Sequence, residues 1–277
     1  MKRICLLWLC CLLLCGCAET KSLPAEAPVP TATEAPIPTT FVEEGMVTII
    51  DLDGDKEKES IEIGIVKQSE YMEYRTVRIT DGERVVSAGE TQIQYGVHIC
   101  LTDLDADRLP EILLSGDVAS DDYITYACRW DGSALVPIPF SGEVREGVNS
   151  STQHVDGCVE KAENGVLTLS SHLFMLGTYR GIRDYALTAD GSIAPVEGSI
   201  WAFPGNDFWL ETAVELSDGL PAGTKLRLTG ADGVGQVWYV TEDGRQGSLS
   251  LTPSDKWGWD INGLHELECF VELPYAG

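Results

Sequence analysis

Basic residues are scarce in this chain. Its 277 residues include 19 lysines and arginines against 44 aspartates and glutamates, which gives a formal net charge of −25 at pH 7. Proteins that bind nucleic acid neutralise phosphates with clusters of lysine and arginine. Nucleic-acid binding is therefore excluded as a function. Docking on anionic lipid or acidic wall polymers by charge alone is excluded too, unless calcium bridges the two surfaces.

Helical periodicity and enzyme signatures are also missing. No segment of a dozen residues has the apolar spacing of an amphipathic helix. The chain has no G-x-S-x-G, H-E-x-x-H, G-x-x-x-x-G-K-S/T or strand-linked G-x-G-x-x-G motif, and its four histidines have no zinc spacing. A glycosidase needs only two carboxylates, but with 44 acidic residues some pair always meets that criterion. We therefore predict a protein that is not an enzyme, with a hydrolase lacking a recognised motif as the alternative.

Acidic residues are concentrated in two short segments that share one spacing. Each has aspartates at positions 1, 3 and 5 and a glutamate at position 9, and about 52 residues separate the two. The carboxylates are Asp51, Asp53, Asp55 and Glu59 in loop 1 (residues 51–59) and Asp103, Asp105, Asp107 and Glu111 in loop 2 (residues 103–111). Carboxylates this close repel one another unless a cation lies among them, and Ca²⁺ takes about six to eight oxygen ligands. We predict one calcium ion in each loop; the alternative is two solvated acidic turns, because Asp and Gly favour turns without metal.

The residues around both loops indicate strands rather than helices. An EF-hand needs glycine at loop position 6, whereas loop 1 has Lys56 there and loop 2 has Arg108. After loop 1, every second residue from 61 to 65 is isoleucine, and a period of two is typical of a strand. Pro110 would end any helix in loop 2. Each loop is therefore predicted to be a turn between two strands.

Both loops resemble the FG-GAP/VCBS type of repeat, the calcium-loop repeat of integrin-like β-propellers, in which a D-x-D-x-D-G-like loop leads directly into a strand. The resemblance implies that the main-chain carbonyls of Glu57 and Leu109, at position 7 of each loop, complete the calcium shell. Lys56 and Arg108 stand where the family usually has glycine. A residue with a side chain is strained where φ is positive, so we expect both to lower calcium affinity.

The first 40 residues predict export and a lipid anchor. Lys2 and Arg3 precede an apolar stretch that is too short to span a bilayer, which fits a signal peptide over residues 1–16. That stretch ends in Leu-Cys-Gly-Cys, which resembles the lipobox of bacterial lipoproteins and implies lipidation of Cys17; an ordinary cleaved signal peptide is the alternative. Residues 17–40, rich in proline, threonine and alanine, are predicted to be an extended tether. The expected location is the extracytoplasmic face of a bacterial cell membrane, where calcium sites of modest affinity are filled.

Four cysteines remain once the predicted signal peptide and Cys17 are set aside. They are Cys100, Cys128, Cys158 and Cys269. An exported chain can pair four cysteines in two disulfides with three connectivities. Their spacing forms no C-x-x-C pattern, and we favour the other reading, in which they are small buried thiols.

Residues 41–198 are predicted to be a calcium-loop β-repeat domain. Asp81-Gly82, Asp131-Gly132 and Asp190-Gly191 mark hairpins between short apolar segments. The candidate strands are 46–50, 61–66, 71–80, 84–88, 97–102, 111–115, 123–130, 134–138, 165–171 and 183–188. A repeat of about 52 residues leaves room for roughly three units, fewer than the four or more blades of a closed propeller. The expected fold class is all-β, with a partial or degenerate β-propeller-like repeat region.

Residues 199–277 differ in composition and hold five of the seven tryptophans. A Gly-Thr hairpin, a Trp-Tyr strand and a D-G-R-x-G turn between residues 220 and 251 resemble a bacterial SH3-like barrel. Trp257 and Trp259, two apart on one predicted strand face, are candidates for stacking on a sugar ring or a proline-rich peptide. The alternative is that both tryptophans fill the core of a small barrel.

Taken together, these features predict a membrane-anchored lipoprotein that calcium stabilises and that binds wall peptide, glycan or a protein. Bacterial lipoproteins that pair calcium-loop repeats with an SH3-like barrel are similar along most of the chain after Cys17. Two alternatives stay open from the sequence. One is a wall- or glycan-active hydrolase with unrecognised carboxylates, and the other is a purely structural surface protein.

Overall fold

The computed structural model describes most of the chain after the predicted tether. The described residues are 37–275 without 68, 71, 89–90, 119–121, 142–153 and 217–218. The predicted signal peptide, Cys17 and the tether up to residue 36 lie outside the described residues. Residues 36–277 form one compact unit.

Short strands joined by tight turns make up nearly all of the regular structure. The strands of the first half are β1 (Thr40–Glu43), β2 (Val47–Ile50), β3 (Glu59–Lys67), β4 (Glu73–Asp81), β5 (Arg84–Ser87), β6 (Tyr95–Thr102), β7 (Glu111–Asp117), β8 (Tyr123–Trp130), β9 (Leu135–Pro137), β10 (His154–Asp156), β11 (Cys158–Glu163) and β12 (Val166–Phe174). The remaining elements are β13 (Thr178–Leu187), β14 (Ile193–Pro195), β15 (Trp201–Ala202), β16 (Leu210–Glu211), β17 (Lys225–Ala231), β18 (Gln236–Thr241), β19 (Gln246–Ser250), β20 (Thr252–Pro253), β21 (Trp259–Ile261), β22 (Leu264–His265) and the short helix α1 (Glu266–Cys269). The predicted all-β class is confirmed.

The period-two segments fold as predicted because alternate side chains enter the core. Ile61 and Ile63 of β3 are buried, while Glu62 between them is only half-buried. The three Asp-Gly turns join β4 to β5, β8 to β9 and β13 to β14. Strands β1, β10, β11 and β14 were not predicted. Two of them have only three residues, and in β11 the apolar pattern is reduced to Val159 and Ala162, with charged residues around them.

The strands form four antiparallel sheets, and none of the four closes into a barrel within the described residues. Sheet 1 has the order β2-β3-β4-β5. Sheet 2 has the order β1-β6-β7-β8-β10, with β9 also paired to β8. Sheet 3 runs β11-β12-β13-β15-β17-β18-β19, with β14 on β13 and β16 on β17, and sheet 4 is β20-β21-β22.

Sheet 3 continues across residue 198, where the sequence predicts a domain boundary. Ile182 of β13 pairs with Ala202 of β15, which in turn pairs with β17. Aromatic side chains from the two sides also touch, since the rings of Tyr179 and Phe203 are stacked with centroids 5.0 Å apart. Residues before and after the predicted boundary therefore share one sheet and one hydrophobic cluster.

The two acidic loops occupy equivalent places in successive sheets. Loop 1 connects β2 to β3 at one end of sheet 1, and loop 2 connects β6 to β7 at one end of sheet 2. This confirms the prediction that both are turns between strands. Each loop sends its second residue inward: Leu52 joins a buried cluster shared by sheets 1 and 2, and Leu104 joins the larger cluster that includes sheet 3.

The four cysteines outside the N-terminal segment are free thiols, as favoured from the sequence, but Cys128 and Cys158 are half-buried rather than buried. Cys100 and Cys269 are fully buried, and burial raises the pKa of the Cys100 thiol to about 12. Such a thiol stays protonated and behaves as a small apolar side chain. In the part of the chain that the structure describes, no helix has the length and apolar character needed to cross a membrane.

Candidate metal centre

Each loop brings three carboxylates together around one point. In loop 1, oxygens of Asp51, Asp53 and Glu59 all lie within 4.8 Å of one another. The equivalent residues Asp103, Asp105 and Glu111 do the same in loop 2. Aspartates at positions 1 and 3 and the glutamate at position 9, which the sequence singles out as ligands, therefore meet in both loops. Such groups of oxygens are able to hold a metal ion.

The glutamate at position 9 also braces its loop. Glu59 Oε2 accepts a hydrogen bond of 2.7 Å from the amide of Leu52, and Glu111 Oε2 accepts one of 2.7 Å from the amide of Leu104. The two glutamates are 2% and 3% exposed. Each glutamate is the first residue of the strand that follows its loop. Because the start of that strand is buried, the carboxylate lies beneath the loop and bonds to its backbone.

The aspartates at position 5 bond to the backbone of their own loops, and their prediction as calcium ligands stays a prediction. Asp55 and Asp107 are not in the groups of three. Asp55 Oδ1 accepts from the amide of Glu57 at 2.7 Å, and Asp107 Oδ1 accepts from the amide of Leu109 at 2.7 Å. These are Asx-type turns, in which a carboxylate bonds to the main chain two residues later. Each position-5 aspartate thereby orients the residue whose carbonyl the family resemblance implies as a ligand.

The backbone at position 6 is left-handed in both loops, as the sequence predicts. Lys56 has φ 77° and Arg108 has φ 75°. Their amides donate to the first aspartates, with distances of 3.0 Å to Asp51 Oδ2 and 3.1 Å to Asp103 Oδ2. The positive φ is therefore required to turn these amides toward the carboxylates, although it costs energy for residues other than glycine.

The first aspartates of the two loops differ in one oxygen. Asp51 Oδ1 accepts from the amide of Gly54 at 2.7 Å. Asp103 Oδ1 is buried, and no hydrogen-bond donor among the described residues reaches it. Asp103 as a whole is only 9% exposed. A buried carboxylate oxygen without a donor is costly, and a cation among Asp103, Asp105 and Glu111 would satisfy it.

The electrostatics of both loops favour a cation. Burial, reinforced by the charges of Asp105 and Asp107, raises the pKa of Glu111 to about 7. Burial and the charge of Asp53 likewise raise the pKa of Glu59. Dehydration and neighbouring carboxylates both disfavour the ionised form. A bound divalent cation would reverse both effects, so the residues present fit a metal ion.

Leucine at position 2 is the feature that sequence reasoning missed. Leu52 and Leu104 are 1% and 6% exposed, and their amides are the donors to the buried glutamates. The signal was present, because an apolar residue recurs at the same position of two otherwise acidic loops. It links the hydrophobic core to the carboxylates and thereby fixes the loop on the sheet.

The two tryptophans proposed as a ligand platform lie in different surroundings. Strand β21 begins at Trp259, and Gly258 before it has φ 97°, so the prediction that Trp257 shares that strand is wrong. Trp257 is 67% exposed and its ring lies against Tyr275, with centroids 4.8 Å apart. Trp259 is half-buried, donates from Nε1 to the carbonyl of Phe174 at 2.6 Å, and lines a separate groove.

Comparison of the chain with protein-family models, with curated proteins and with solved structures finds no match. What bears on function is therefore the geometry of the molecule. Two features stand out within the described residues. One is the pair of carboxylate groups in equivalent loops, and the other is the groove that lies beside loop 2.

Proposed function

We propose that the protein is a calcium-stabilised binding lipoprotein of a bacterial cell surface. The observation that carries the calcium assignment is the buried Oδ1 of Asp103, which has no donor among the described residues and lies in a group of three carboxylates. The same group recurs in loop 1. Recurrence in two sheets is not expected of acidic turns that serve only to reverse the chain.

The donor set favours calcium over other metals. Both groups consist of carboxylate oxygens, without histidine or cysteine. Zinc and copper favour nitrogen and sulfur ligands, whereas Ca²⁺ and Mg²⁺ favour oxygen. Mg²⁺ demands near-ideal octahedral geometry and keeps several waters, while Ca²⁺ accepts irregular shells of carboxylates and carbonyls. A turn whose aspartates also cap backbone amides offers such an irregular shell.

The repeat and barrel likenesses are part of this proposal. The β2–loop–β3 and β6–loop–β7 units support an FG-GAP/VCBS-like repeat, and the hairpin β11–β12 has the corresponding place in a third unit without an acidic loop. The consecutive strands β17, β18 and β19 support the SH3-like resemblance. Anchoring through Cys17 rests on the lipobox-like sequence alone. The proposed role is to hold a binding surface outside the membrane.

Calcium titration tests the metal assignment. For residues 36–277, calorimetry should show two calcium sites, and EDTA should lower the melting temperature reversibly. A site filled at about 100 times its dissociation constant contributes about 2.7 kcal/mol. Asp53→Asn and Asp105→Asn should each remove one site and leave the other. A melting temperature indifferent to calcium from micromolar to millimolar concentrations would disprove the proposal.

Metabolic labelling tests the anchor. The full chain, expressed in a bacterium fed an alkyne-tagged fatty acid, should carry label and sediment with membranes. The Cys17→Ser variant should carry none. Cys15→Ser is the matched control, because it alters a neighbouring cysteine inside the predicted signal peptide and should retain the label. Equal labelling of wild type and the Cys17 variant would refute lipidation at this residue.

A further inference from the structure

Loop 2, unlike loop 1, has its carboxylates beside an open groove. The groove has a volume of about 790 Å³, which is within the usual size of ligand sites. Asp103 and Asp105 form part of its wall. Residues 160–165, from β11 and the turn after it, also line the groove, and Ile37, Pro38 and Phe41 contribute apolar side chains.

In loop 1, Asp53 corresponds to Asp105 of loop 2, and a neighbouring turn covers it. A Cβ atom placed on Gly132, in the turn between β8 and β9, would lie only 2.8 Å from Asp53 Oδ2. The backbone of that turn therefore packs directly on the third position of loop 1. Gly165, in the turn between β11 and β12, approaches loop 2 at the carbonyl of Leu104 instead, where a Cβ would lie 2.9 Å away. That contact leaves Asp105 exposed in the groove.

The buried Oδ1 of Asp103 marks where a cation would lie relative to this groove. It belongs to a residue that lines the groove and that is 9% exposed, and no described donor satisfies it. A cation bound to Asp103, Asp105 and Glu111 is therefore bordered by the groove. Each of the three carboxylates offers one oxygen to the group, and the Leu109 carbonyl implied by the family resemblance would add a fourth. Calcium takes about six to eight oxygens, so coordination positions remain for water or a ligand.

The charges around the groove select against an anion. Three ligand carboxylates exceed the charge of one Ca²⁺. Glu160 and Glu163 do not change this balance, because Glu160 is paired with Arg180 and Glu163 with Lys161. The surface stays negative with the metal bound, and an acidic ligand would be repelled. A neutral ligand that is rich in oxygen fits this potential and the preference of calcium for oxygen.

We propose that loop 2 holds a calcium ion through which the protein binds neutral glycans. Two adjacent ring hydroxyls coordinate the ion from the groove, and the apolar face of the sugar packs on Phe41, which is 41% exposed. Loop 1 holds a calcium ion with a structural role only. This inference rests on the proposed calcium binding and adds to it the ligand class and the loop responsible.

Affinity electrophoresis of residues 36–277 in gels containing mannan, galactomannan or dextran tests the proposal. Wild type and Asp53→Asn should be retarded by at least one of these glycans in calcium and by none in EDTA. Asp105→Asn should bind at least about tenfold more weakly, although it loses one calcium site just as Asp53→Asn does. Phe41→Ala should lose retardation while both calcium sites remain. No retardation by any of the three glycans, or equal retardation of the two aspartate variants, would overturn the proposal.

Terbium luminescence separates failure of this inference from failure of the calcium assignment. Terbium replaces calcium, and its lifetimes in H₂O and D₂O count the bound waters. The ion in loop 2, isolated in Asp53→Asn, should hold more waters than the ion in loop 1, isolated in Asp105→Asn, and mannan should displace some of them. Equal water counts would overturn the glycan site and leave calcium binding intact. Absence of terbium from both loops would instead refute the proposed metal sites.

Discussion

At the scale of single residues, one hydrogen bond distinguishes two otherwise equivalent aspartates. Asp51 has both oxygens satisfied by the amides of Gly54 and Lys56. Asp103 has one oxygen satisfied by Arg108 and the other buried without a described donor. Without calcium, the backbone of loop 1 supplies hydrogen bonds to both carboxylate oxygens of Asp51, whereas the backbone of loop 2 supplies one to only one oxygen of Asp103. Calcium should matter more to the stability of loop 2.

Neutralising the two aspartates should have opposite effects in EDTA. Asp103→Asn removes an unsatisfied buried charge and should raise the free energy of unfolding by about 1–2 kcal/mol. Asp51→Asn weakens two charge-assisted hydrogen bonds and should lower it by about 1 kcal/mol. Denaturant unfolding followed by circular dichroism measures both. A destabilised Asp103→Asn variant in EDTA would show that its carboxylate is satisfied in solution.

Glu111 should make the stability of the calcium-free protein depend on pH. Its pKa is raised in the folded state to about 7, from a usual value of 4.5. A carboxyl with a raised folded pKa costs stability above its unfolded pKa, so the cost is absent below pH 4.5, grows as the pH rises, and is complete above pH 7. Glu111→Gln keeps an oxygen for the amide of Leu104 and removes this titration.

The measurement is the difference in unfolding free energy between Glu111→Gln and wild type in EDTA. Between pH 4.5 and pH 7.5, the variant should become more stable relative to wild type, by up to about 3 kcal/mol in the free energy of unfolding. Comparing the two proteins cancels the other titrating groups. A difference that is constant with pH would mean that Glu111 has an ordinary pKa.

At the scale of elements, a buried polar network joins sheet 2 to sheet 3. The amide of Val159 in β11 donates to Ser115 Oγ of β7 at 3.2 Å. Ser115 Oγ lies 2.6 Å from Thr125 Oγ1 of β8, which donates to the carbonyl of Gly157 at 2.7 Å. Ser115 and Thr125 are both fully buried. These hydroxyls satisfy backbone groups at the place where β10 leads into β11, so they position the hairpin that borders the groove.

Ser115→Ala should lower the free energy of unfolding, because Ser115 helps to hold β11, which borders the groove, against sheet 2. It leaves the amide of Val159 without its acceptor and should cost about 1–3 kcal/mol. Thr168→Ala is the matched control, because its hydroxyl bonds to Asp184 on the exposed face of sheet 3 at 2.7 Å, and its loss should cost about 0.5 kcal/mol or less. Thermal melting of both variants measures the difference. Equal costs would mean that the buried network is not important for stability.

At the scale of the whole molecule, the larger hydrophobic cluster spans the chain from Cys100 to Phe270. It joins Leu104 of loop 2 to residues such as Tyr185 and Trp201, which lie on opposite sides of the predicted boundary at residue 198. The rings of Tyr185 and Trp201 meet edge to face, with centroids 6.3 Å apart. Loop 2 is thereby linked through packing to the C-terminal region.

Truncation tests whether the two predicted domains are independent. A chain of residues 36–198 would expose Tyr185 and the β13 edge that pairs with β15. It should lose cooperative melting and bind a hydrophobic dye, whereas residues 36–277 should melt in one transition. A truncated chain that melts cooperatively and retains calcium binding would show that residues 41–198 form a domain of their own.

The sequence by itself determined the all-β class, the three Asp-Gly hairpins, the place of both acidic loops between strands and the left-handed residues at Lys56 and Arg108. These are local properties, set by side-chain alternation, turn chemistry and spacing within about ten residues. The spacing within each loop also predicted the carboxylates at positions 1, 3 and 9, which meet around one point in the structure. The prediction that Trp257 and Trp259 share one strand was wrong, because Gly258 between them has a positive φ and the strand begins only at Trp259. Glycine permits such a φ but does not require it, so the sequence left the choice open.

Only the tertiary structure decided that the two loops are not equivalent. Their sequences share carboxylates at positions 1, 3, 5 and 9, but a turn containing Gly132 covers Asp53, whereas Asp103 and Asp105 line a groove with residues far away in the chain. The pairing of β13 with β15, which places residues before and after 198 in one sheet, is likewise a tertiary feature. Burial, desolvation and the shape of a groove depend on which distant segments meet, and a repeated local motif contains no information about its neighbours.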